Sequence, residues 1–211
     1  MDFISFFKTT EINESDHVAM LPAGRALSSE ALKTMGSHRD SAVGIHCYKN
    51  QNAQYEILLI QRSEYQGKHS GQIAFPGGKM EPDDIDLRFT ARRECYEEIG
   101  ITPEAGDIIR SLSPVYIPVS NFKMTPFFFF HEHPPALRLN KREVQQIIPL
   151  TLENLAFNLP IEHRELSADV NSLFIRNVPG FTHGPHWIWG ATALVLNQLK
   201  TAYVDWNQKS R

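Results

Sequence analysis

The stretch Arg93-Glu94-Cys95-Tyr96-Glu97-Glu98-Ile99-Gly100 concentrates more chemistry than any other part of the sequence. Glu94, Glu97 and Glu98 stand at i, i+3 and i+4. At about 100° per residue a helix gathers them on one face within about one turn. Like charges at that spacing cost a helix roughly 0.2–0.5 kcal/mol per pair. Carboxylates near a helix C-terminus also oppose its dipole. A divalent cation offsets both penalties, and Mg²⁺ or Mn²⁺, hard ions that prefer carboxylate and water oxygens, fit such a cluster. The competing reading is a solvated acidic surface with Arg92 and Arg93 as ion-pair partners.

The element that carries these acids is predicted as a helix over Asp83–Ile99, started by Pro82 and Asp83 and stopped at Gly100. Leu87, Ala91, Cys95 and Ile99 recur every fourth position and form its apolar stripe. On a helical wheel Glu94 and Glu98 fall within about 20° of the stripe's edge and Glu97 about 80° away. The acids therefore border the buried face, where the wall of a cleft would lie. Before the helix, four glycines and a proline lie between Arg62 and Gly78. That is a long loop, and loops beyond about 12–15 residues are commonly functional.

The rest of the chain supplies the scaffold. Residues 1–36 read as a helical lead-in, with Ser29 capping a short helix over Glu30–Met35 and Gly36 stopping it. Strands are expected at Ala42–Tyr48, Ile57–Gln61, Ser113–Val119, Thr125–His131 and Val144–Leu150, and helices at Leu152–Phe157 and Trp189–Lys200. Phe127–Phe130 suit a strand buried on both faces. Strands and helices mix without strict alternation, which indicates an α+β domain. The expected division is an N-terminal helical extension, 1–36, and one catalytic domain, 37–205.

Composition narrows the function classes. The chain has 211 residues, 42% hydrophobic and 21% charged, an ordinary globular balance able to bury a core without staples. Its 21 Lys+Arg against 24 Asp+Glu give a formal charge of −3. Proteins that bind nucleic acid non-specifically carry a basic surplus, so no nucleic-acid partner is expected. No apolar run approaches the roughly 18 residues of a membrane span, and the N-terminus has no basic, apolar signal pattern. The expectation is a cytoplasmic protein without a membrane partner, monomer or homodimer, with Cys47 and Cys95 as reduced core thiols. His131 and His133, like His183 and His186, lack a third ligand at metal spacing and are expected in loops and on the surface. Trp187 and Trp189 are expected in the core or in ring stacking.

The segment from Gly71 to Ile101, GQIAFPGGKMEPDDIDLRFTARRECYEEIGI, closely resembles the Nudix box, GX5EX7REUXEEXGU, where U is aliphatic. Gly78, Arg93, Glu94, Glu97, Glu98, Gly100 and Ile101 match, and Cys95 takes an apolar position. Fourteen residues separate Gly78 from Arg93 where the pattern allows thirteen, and the mid-motif glutamate is missing. Asp84 or Asp86 lies nearby, neither in strict register. The coenzyme A pyrophosphatase branch of the family also looks one residue longer here, with an aspartate at the place of Asp84. That branch is further resembled by Leu58, Leu59, Arg62-Ser63, His69, Gly71-Gln72 and Phe75-Pro76-Gly77-Gly78. Arg39, Thr125-Pro126, Glu143-Val144 and Ile188–Ala193 add to it. Gly67 departs from the branch, standing where an arginine is expected, with Lys68 one step later.

The resemblance implies an α/β/α sandwich with a mixed β-sheet between helices. It implies hydrolysis of a phosphoanhydride in a nucleoside diphosphate derivative, on coenzyme A giving 3′,5′-ADP and 4′-phosphopantetheine. Glu94, Glu97 and Glu98 would ligate Mg²⁺ or Mn²⁺, one of them serving also as a base, and Arg93 would hold them by a salt bridge. Glu143 would be either a surface acid or an extra ligand or base. Arg39, Arg62 and Lys68 would meet the substrate phosphates beside Gly77 and Gly78. Two other outcomes remain open: a different substrate such as ADP-ribose, NADH or a nucleoside triphosphate, and a catalytically silent Nudix module that only binds.

Overall fold

The structure, a computed structural model, describes residues 1–34, 36–63, 71–167 and 175–210. Met35, Gly67, Lys68 and His69 lie outside the described residues. In chain order the elements are α1 Phe3–Thr9, a 3₁₀ helix Glu14–Met20, α2 Ser28–Thr34, β1 Arg39–Lys49, β2 Tyr55–Arg62, β3 Ile73–Ala74 and β4 Gly77–Lys79. Then come α3 Leu87–Ile99, β5 Asp107–Ser111, β6 Val115–Ile117, β7 Phe122–His131, β8 Val144–Thr151 and α4 Leu152–Phe157. The chain closes with β9 Glu162–Ser167, β10 Ile175–His183, β11 His186–Trp189 and α5 Gly190–Lys209.

A mixed sheet forms the middle layer. Its main path is β3-β2-β1-β7-β5, with β4 on β1, β6 on β7 and β8 on β2. β1 and β7 run parallel from Arg39↔Phe122 to Tyr48↔His131, while the other pairs are antiparallel. The middles of β1 and β7 are buried on both faces, which is why Ala42–Tyr48 and Pro126–Phe130 are mostly apolar. One face of β1 and β7, through Ile45, Cys47 and Phe128, packs against Phe3 and Phe7 of α1 and the apolar side of α5. On the other face Ala42, Phe127 and Phe129 meet Ala91 of α3, and Tyr48, Leu58 and Ile60 meet Ile99 and Ile101. Helices on both faces of a mixed sheet make the expected α/β/α sandwich. Cys47 and Cys95 are buried and unpaired, as expected.

Several expectations change. The central helix begins at Leu87, not Asp83, because Asp86 takes the N-cap and accepts the Phe89 N–H at 2.8 Å. Its C-terminus is as expected, with Gly100 in the left-handed region at φ 77°. The last helix runs on to Lys209, and the Ser113–Val119 strand shrinks to Val115–Ile117. β5 was not expected, nor was the β9-β10-β11 sheet beside β3. The short helix capped by Ser29 begins at Ser28. His131 is no surface residue: it is buried in β7, its Nε2 2.8 Å from Nδ1 of buried His46. Trp187 does stack, carrying the Arg164 guanidinium 4.3 Å from its ring.

Candidate active site

The site forms where α3 crosses the β1–β4 pair. Residues Phe75–Gly78 bring the chain back against β1, with Gly77 opposite Val43 and Gly78 opposite Ala42. Gly77 has φ 150°, and a Cβ there would lie 2.3 Å from the Ala42 carbonyl oxygen. At Gly78 a Cβ would lie 2.5 Å from the Glu94 carboxylate. Both positions need glycine, one for conformation and one for clearance. The missing side chains let α3 settle on this turn so that its carboxylates face backbone.

The three glutamates then part company. Glu98 is only 1% exposed; its Oε2 accepts the Gly77 N–H at 2.8 Å, and its Oε1 lies 3.4 Å from Nη1 of Arg62. Burial pushes its carboxyl up to about 7, helped by Glu94 and Glu143 and opposed by Arg62 and the Gly77 N–H. Glu94, 15% exposed, accepts from Arg93 Nη1 at 3.0 Å. Burial raises its pKa, against the Arg93 charge. Glu97 is 50% exposed and bonds the same Arg93 nitrogen at 3.2 Å. Among the described residues no three His, Cys, Asp or Glu side chains stand together as a ready metal cage. Glu94 and Glu98 face the Gly77–Gly78 turn, while Glu97 turns to Arg93.

Arg93 is fixed from below. Its Nε and Nη2 each lie 2.9 Å from one oxygen of Asp84, and Nη2 also donates to the Lys79 carbonyl at 3.1 Å. Asp84 is buried and receives the Glu81 N–H and the Thr90 hydroxyl, both at 2.9 Å. The Arg93 hydrogen bonds, with those from Glu81 and Thr90, draw its carboxyl down to about 2. Asp84 rather than Asp86 thus pairs with Arg93, and Asp86 caps the helix. The residue inserted into the motif is absorbed in the turns before α3, which is why strict register pointed at neither.

Glu143 arrives by a separate route. The segment before β8 completes the C-terminal end of α3: Arg138 N–H bonds the Ile99 carbonyl at 2.8 Å and Asn140 N–H the Glu98 carbonyl at 2.9 Å. The Glu143 carbonyl accepts from Ser63 N–H at 2.8 Å and its carboxylate from Asn140 Nδ2 at 3.1 Å. From there its charge raises the pKa of both Glu94 and Glu98. Arg39 lies elsewhere in its contacts: its guanidinium bonds the Ser120 carbonyl at 2.6 Å and covers the Phe122 ring at 4.1 Å. The structure therefore brings together Glu94, Glu98, Gly77, Gly78, Arg62 and Arg93, with Glu143 within electrostatic reach. Asp84 was singled out by the resemblance, but its bond to Arg93 was not foreseen, and Thr90 was missed.

The sequence profile of the NUDIX domain matches residues 38–170, which spans the whole of this site. The chain belongs to the Nudix family. It is 33% identical over 142 residues to a human protein named mitochondrial coenzyme A diphosphatase NUDT8, covering 66% of this chain and 58% of that one. It thus spans less than two thirds of that relative's length. It is 30% identical over 154 residues to an uncharacterised Nudix hydrolase, NudL, of Pectobacterium atrosepticum, covering 71% of this chain and 76% of that one. A MutT/nudix family protein from Enterococcus faecalis shares the fold at TM-score 0.54 and 16% identity, covering 91% of this chain and 74% of that one. Nudix proteins generally work with divalent metal ions. The residues here fit such an ion. A buried carboxylate, Glu98, and a partly buried one, Glu94, face the same backbone; burial raises both, Glu94 and Glu143 add to the rise at Glu98, Glu97 and Glu143 add to it at Glu94, and glycine leaves clearance beside Glu94.

Proposed function

We propose that this Nudix protein hydrolyses the diphosphate linkage of coenzyme A or its derivatives, giving 3′,5′-ADP and 4′-phosphopantetheine, with Mg²⁺ or Mn²⁺ as cofactor. The observation that carries the reading is the pair of carboxylates, buried Glu98 and partly buried Glu94, facing Gly77 and Gly78 with Arg62 3.4 Å from Glu98. Similarity to NUDT8 supplies the substrate class. A bound ion would neutralise the diphosphate, polarise a phosphorus–oxygen bond and lower the pKa of attacking water. Glu94 and Glu98 would hold it, with water and phosphate oxygens completing its shell, as Mg²⁺ prefers. The Gly77 N–H fixes Oε2 of Glu98, and the other oxygen, which lies 3.4 Å from Arg62 Nη1, is the one that would meet the ion. Glu143 would accept the water's proton at its carboxylate. Arg93, fixed by Asp84, keeps Glu94 from turning away. Lys68 would meet the 3′-phosphate. The unpaired buried thiols suit a reducing compartment such as the cytoplasm. Among the described residues no helix is long and apolar enough to cross a membrane.

The deciding experiment compares kcat/KM for coenzyme A, dephospho-coenzyme A, ADP-ribose and NADH with Mg²⁺ and with Mn²⁺. Coenzyme A used best, with its advantage over dephospho-coenzyme A falling in Lys68→Ala, supports the assignment. Equal or better use of ADP-ribose overturns it. Metal-dependent turnover of none of the four, nor of a nucleoside triphosphate, leaves a binding module.

A further inference from the structure

We propose that Arg62 is a placeholder for the divalent cation: it neutralises Glu98 while the metal is absent, competes with the metal for that carboxylate, and passes to the substrate diphosphate once the ion is bound. The inference rests on the metal-dependent reading above. Three features carry it.

The first is position. Arg62 Nη1 is 3.4 Å from Glu98 Oε1, the oxygen that the Gly77 N–H leaves free. A cation held by Glu98 through that oxygen and the Arg62 guanidinium would therefore claim the same place. Two positive groups cannot share it without strong repulsion in a partly dry site.

The second is looseness. Arg93 grips Asp84 through two nitrogens, each at 2.9 Å, and Arg93 is 17% exposed. Among the described residues Arg62 makes a single approach to Glu98 at 3.4 Å, and it is 28% exposed. A two-pronged pair fixes geometry, whereas one long approach at the edge of the site is easily given up.

The third is the hinge. The β2–β8 register shifts between Gln61 and Arg62, an irregularity of the kind that re-aims a side chain. The backbone stays anchored, with Arg62 N–H on the Gln72 carbonyl at 3.0 Å and Ser63 N–H on the Glu143 carbonyl at 2.8 Å. The side chain can therefore swing from a fixed base. The charge balance agrees: Glu94, Glu98 and Glu143 repel one another here, and the Arg62 charge opposes this at Glu98.

The test uses the full chain without substrate. Mn²⁺ binding is followed by the loss of the free-ion electron paramagnetic resonance signal and by calorimetry in the native protein, Arg62→Gln and Arg62→Lys. Removing a competing charge should tighten Mn²⁺ binding by roughly tenfold in Arg62→Gln. Arg62→Lys keeps the charge and should tighten it by no more than about two- to threefold. The Mn²⁺-loaded Arg62→Gln protein should then bind inorganic pyrophosphate about tenfold more weakly than the loaded native protein, having lost a charge-assisted contact. A purely supporting arginine would do the opposite, because losing it disorders Glu98 and weakens the metal. Unchanged or weaker Mn²⁺ binding in Arg62→Gln overturns the placeholder and leaves the metal reading standing, as does undiminished pyrophosphate binding. No Mn²⁺ binding by the native chain at millimolar concentration overturns both. Should Arg62→Gln fail to fold, weaker Mn²⁺ binding in Arg62→Lys than in the native protein overturns the proposal by itself.

Discussion

Asp84, just before α3, and Glu98, in its last turn, are both buried and both met by an arginine, yet their carboxyls are driven in opposite directions. Asp84 is drawn down to about 2, and Glu98 is pushed up to about 7. The difference lies in how fully each charge is answered. Asp84 receives two bonds from Arg93, one from a backbone N–H and one from a hydroxyl. Among the described residues Glu98 receives one backbone N–H and a single distant guanidinium, and it shares its surroundings with two more carboxylates. The first carboxylate is finished structure. The second is left short of positive charge, which is the condition of a group that awaits a ligand.

The largest effect expected from this contrast is on turnover. Glu98→Gln should cut metal-dependent hydrolysis by roughly 10²–10⁴-fold, the usual cost of losing a metal ligand or a proton-transfer group. The fold should survive, because the amide remains able to accept the Gly77 N–H. Glu97→Gln should cost less, about tenfold, since Glu97 is half exposed and bound to Arg93, so that its amide acts mainly through metal charge balance. Steady-state assays with circular dichroism check both. Equal losses would show that Glu97 joins Glu98 at the ion.

Stability should respond in the reverse order. Asp84→Ala strands Arg93 without its main partner and should destabilise the protein by about 3–5 kcal/mol. Glu98→Gln in EDTA should be neutral or stabilising, because it removes a buried charge that is incompletely paired. Urea unfolding of the two variants beside the native protein measures this. A destabilised Glu98→Gln would mean that the charged form of Glu98 holds the fold together.

The pH dependence of stability separates the two carboxylates without mutation. Glu98 has a folded pKa above its ordinary 4.5, so its protonated form favours the fold. That contribution is complete below about pH 4.5 and is lost as the pH rises toward 7, on the order of 2–3 kcal/mol. Asp84 has a folded pKa below its ordinary 3.8, and its contribution is present above that value and lost as the pH falls toward 2, on the order of 2 kcal/mol. Metal-free protein should therefore lose stability between pH 4.5 and 7, and Glu98→Gln should abolish that slope. Mg²⁺ or Mn²⁺ should restore the lost stability near pH 7 by binding the ionised, folded site. A flat profile in EDTA would remove the contrast.

Part of this was legible in the sequence. The helical wheel placed Glu94 and Glu98 at the edge of the apolar stripe and Glu97 away from it, and that is the order of burial found. Phe127–Phe130 read as a strand covered on both faces, and they are one. Asp84 was named from the resemblance, but its pairing with Arg93 was not legible, because it depends on the irregular turns before α3, which no helical period describes. Arg62 was visible as part of the branch signature and as a candidate for the substrate phosphates, not as a partner of Glu98. Its approach to Glu98 follows from a register shift at the end of β2. The β9-β10-β11 sheet left little trace: β9 reads EHRELS without apolar alternation, and Pro179 interrupts β10. His131 looked like one of a pair flanking an acid, and only the parallel register of β7 with β1 carries it in toward His46.

The smallest effect is the most specific to the Asp84 side of the contrast. The Thr90 hydroxyl, fully buried, donates to Asp84 Oδ2 at 2.9 Å. Thr90→Val keeps the shape and removes the donor, leaving Arg93 and the Glu81 N–H to answer the charge. A hydrogen bond to a charged group is worth about 1.5–3 kcal/mol, and the two-pronged Arg93 pair should cushion its loss to about 1–2 kcal/mol at pH 7. Because the lost bond favours the ionised form, Asp84 should titrate at a higher pH in the folded variant. The stability deficit should then shrink as the pH falls and Asp84 takes up its proton, whereas Thr90→Ser, which keeps the hydroxyl, should show no pH-dependent deficit. Urea midpoints of the three proteins at pH 7, 5 and 3 make the comparison. A deficit in Thr90→Val that is the same at all three values would assign the cost to packing, and Arg93 alone would then account for the depressed carboxyl.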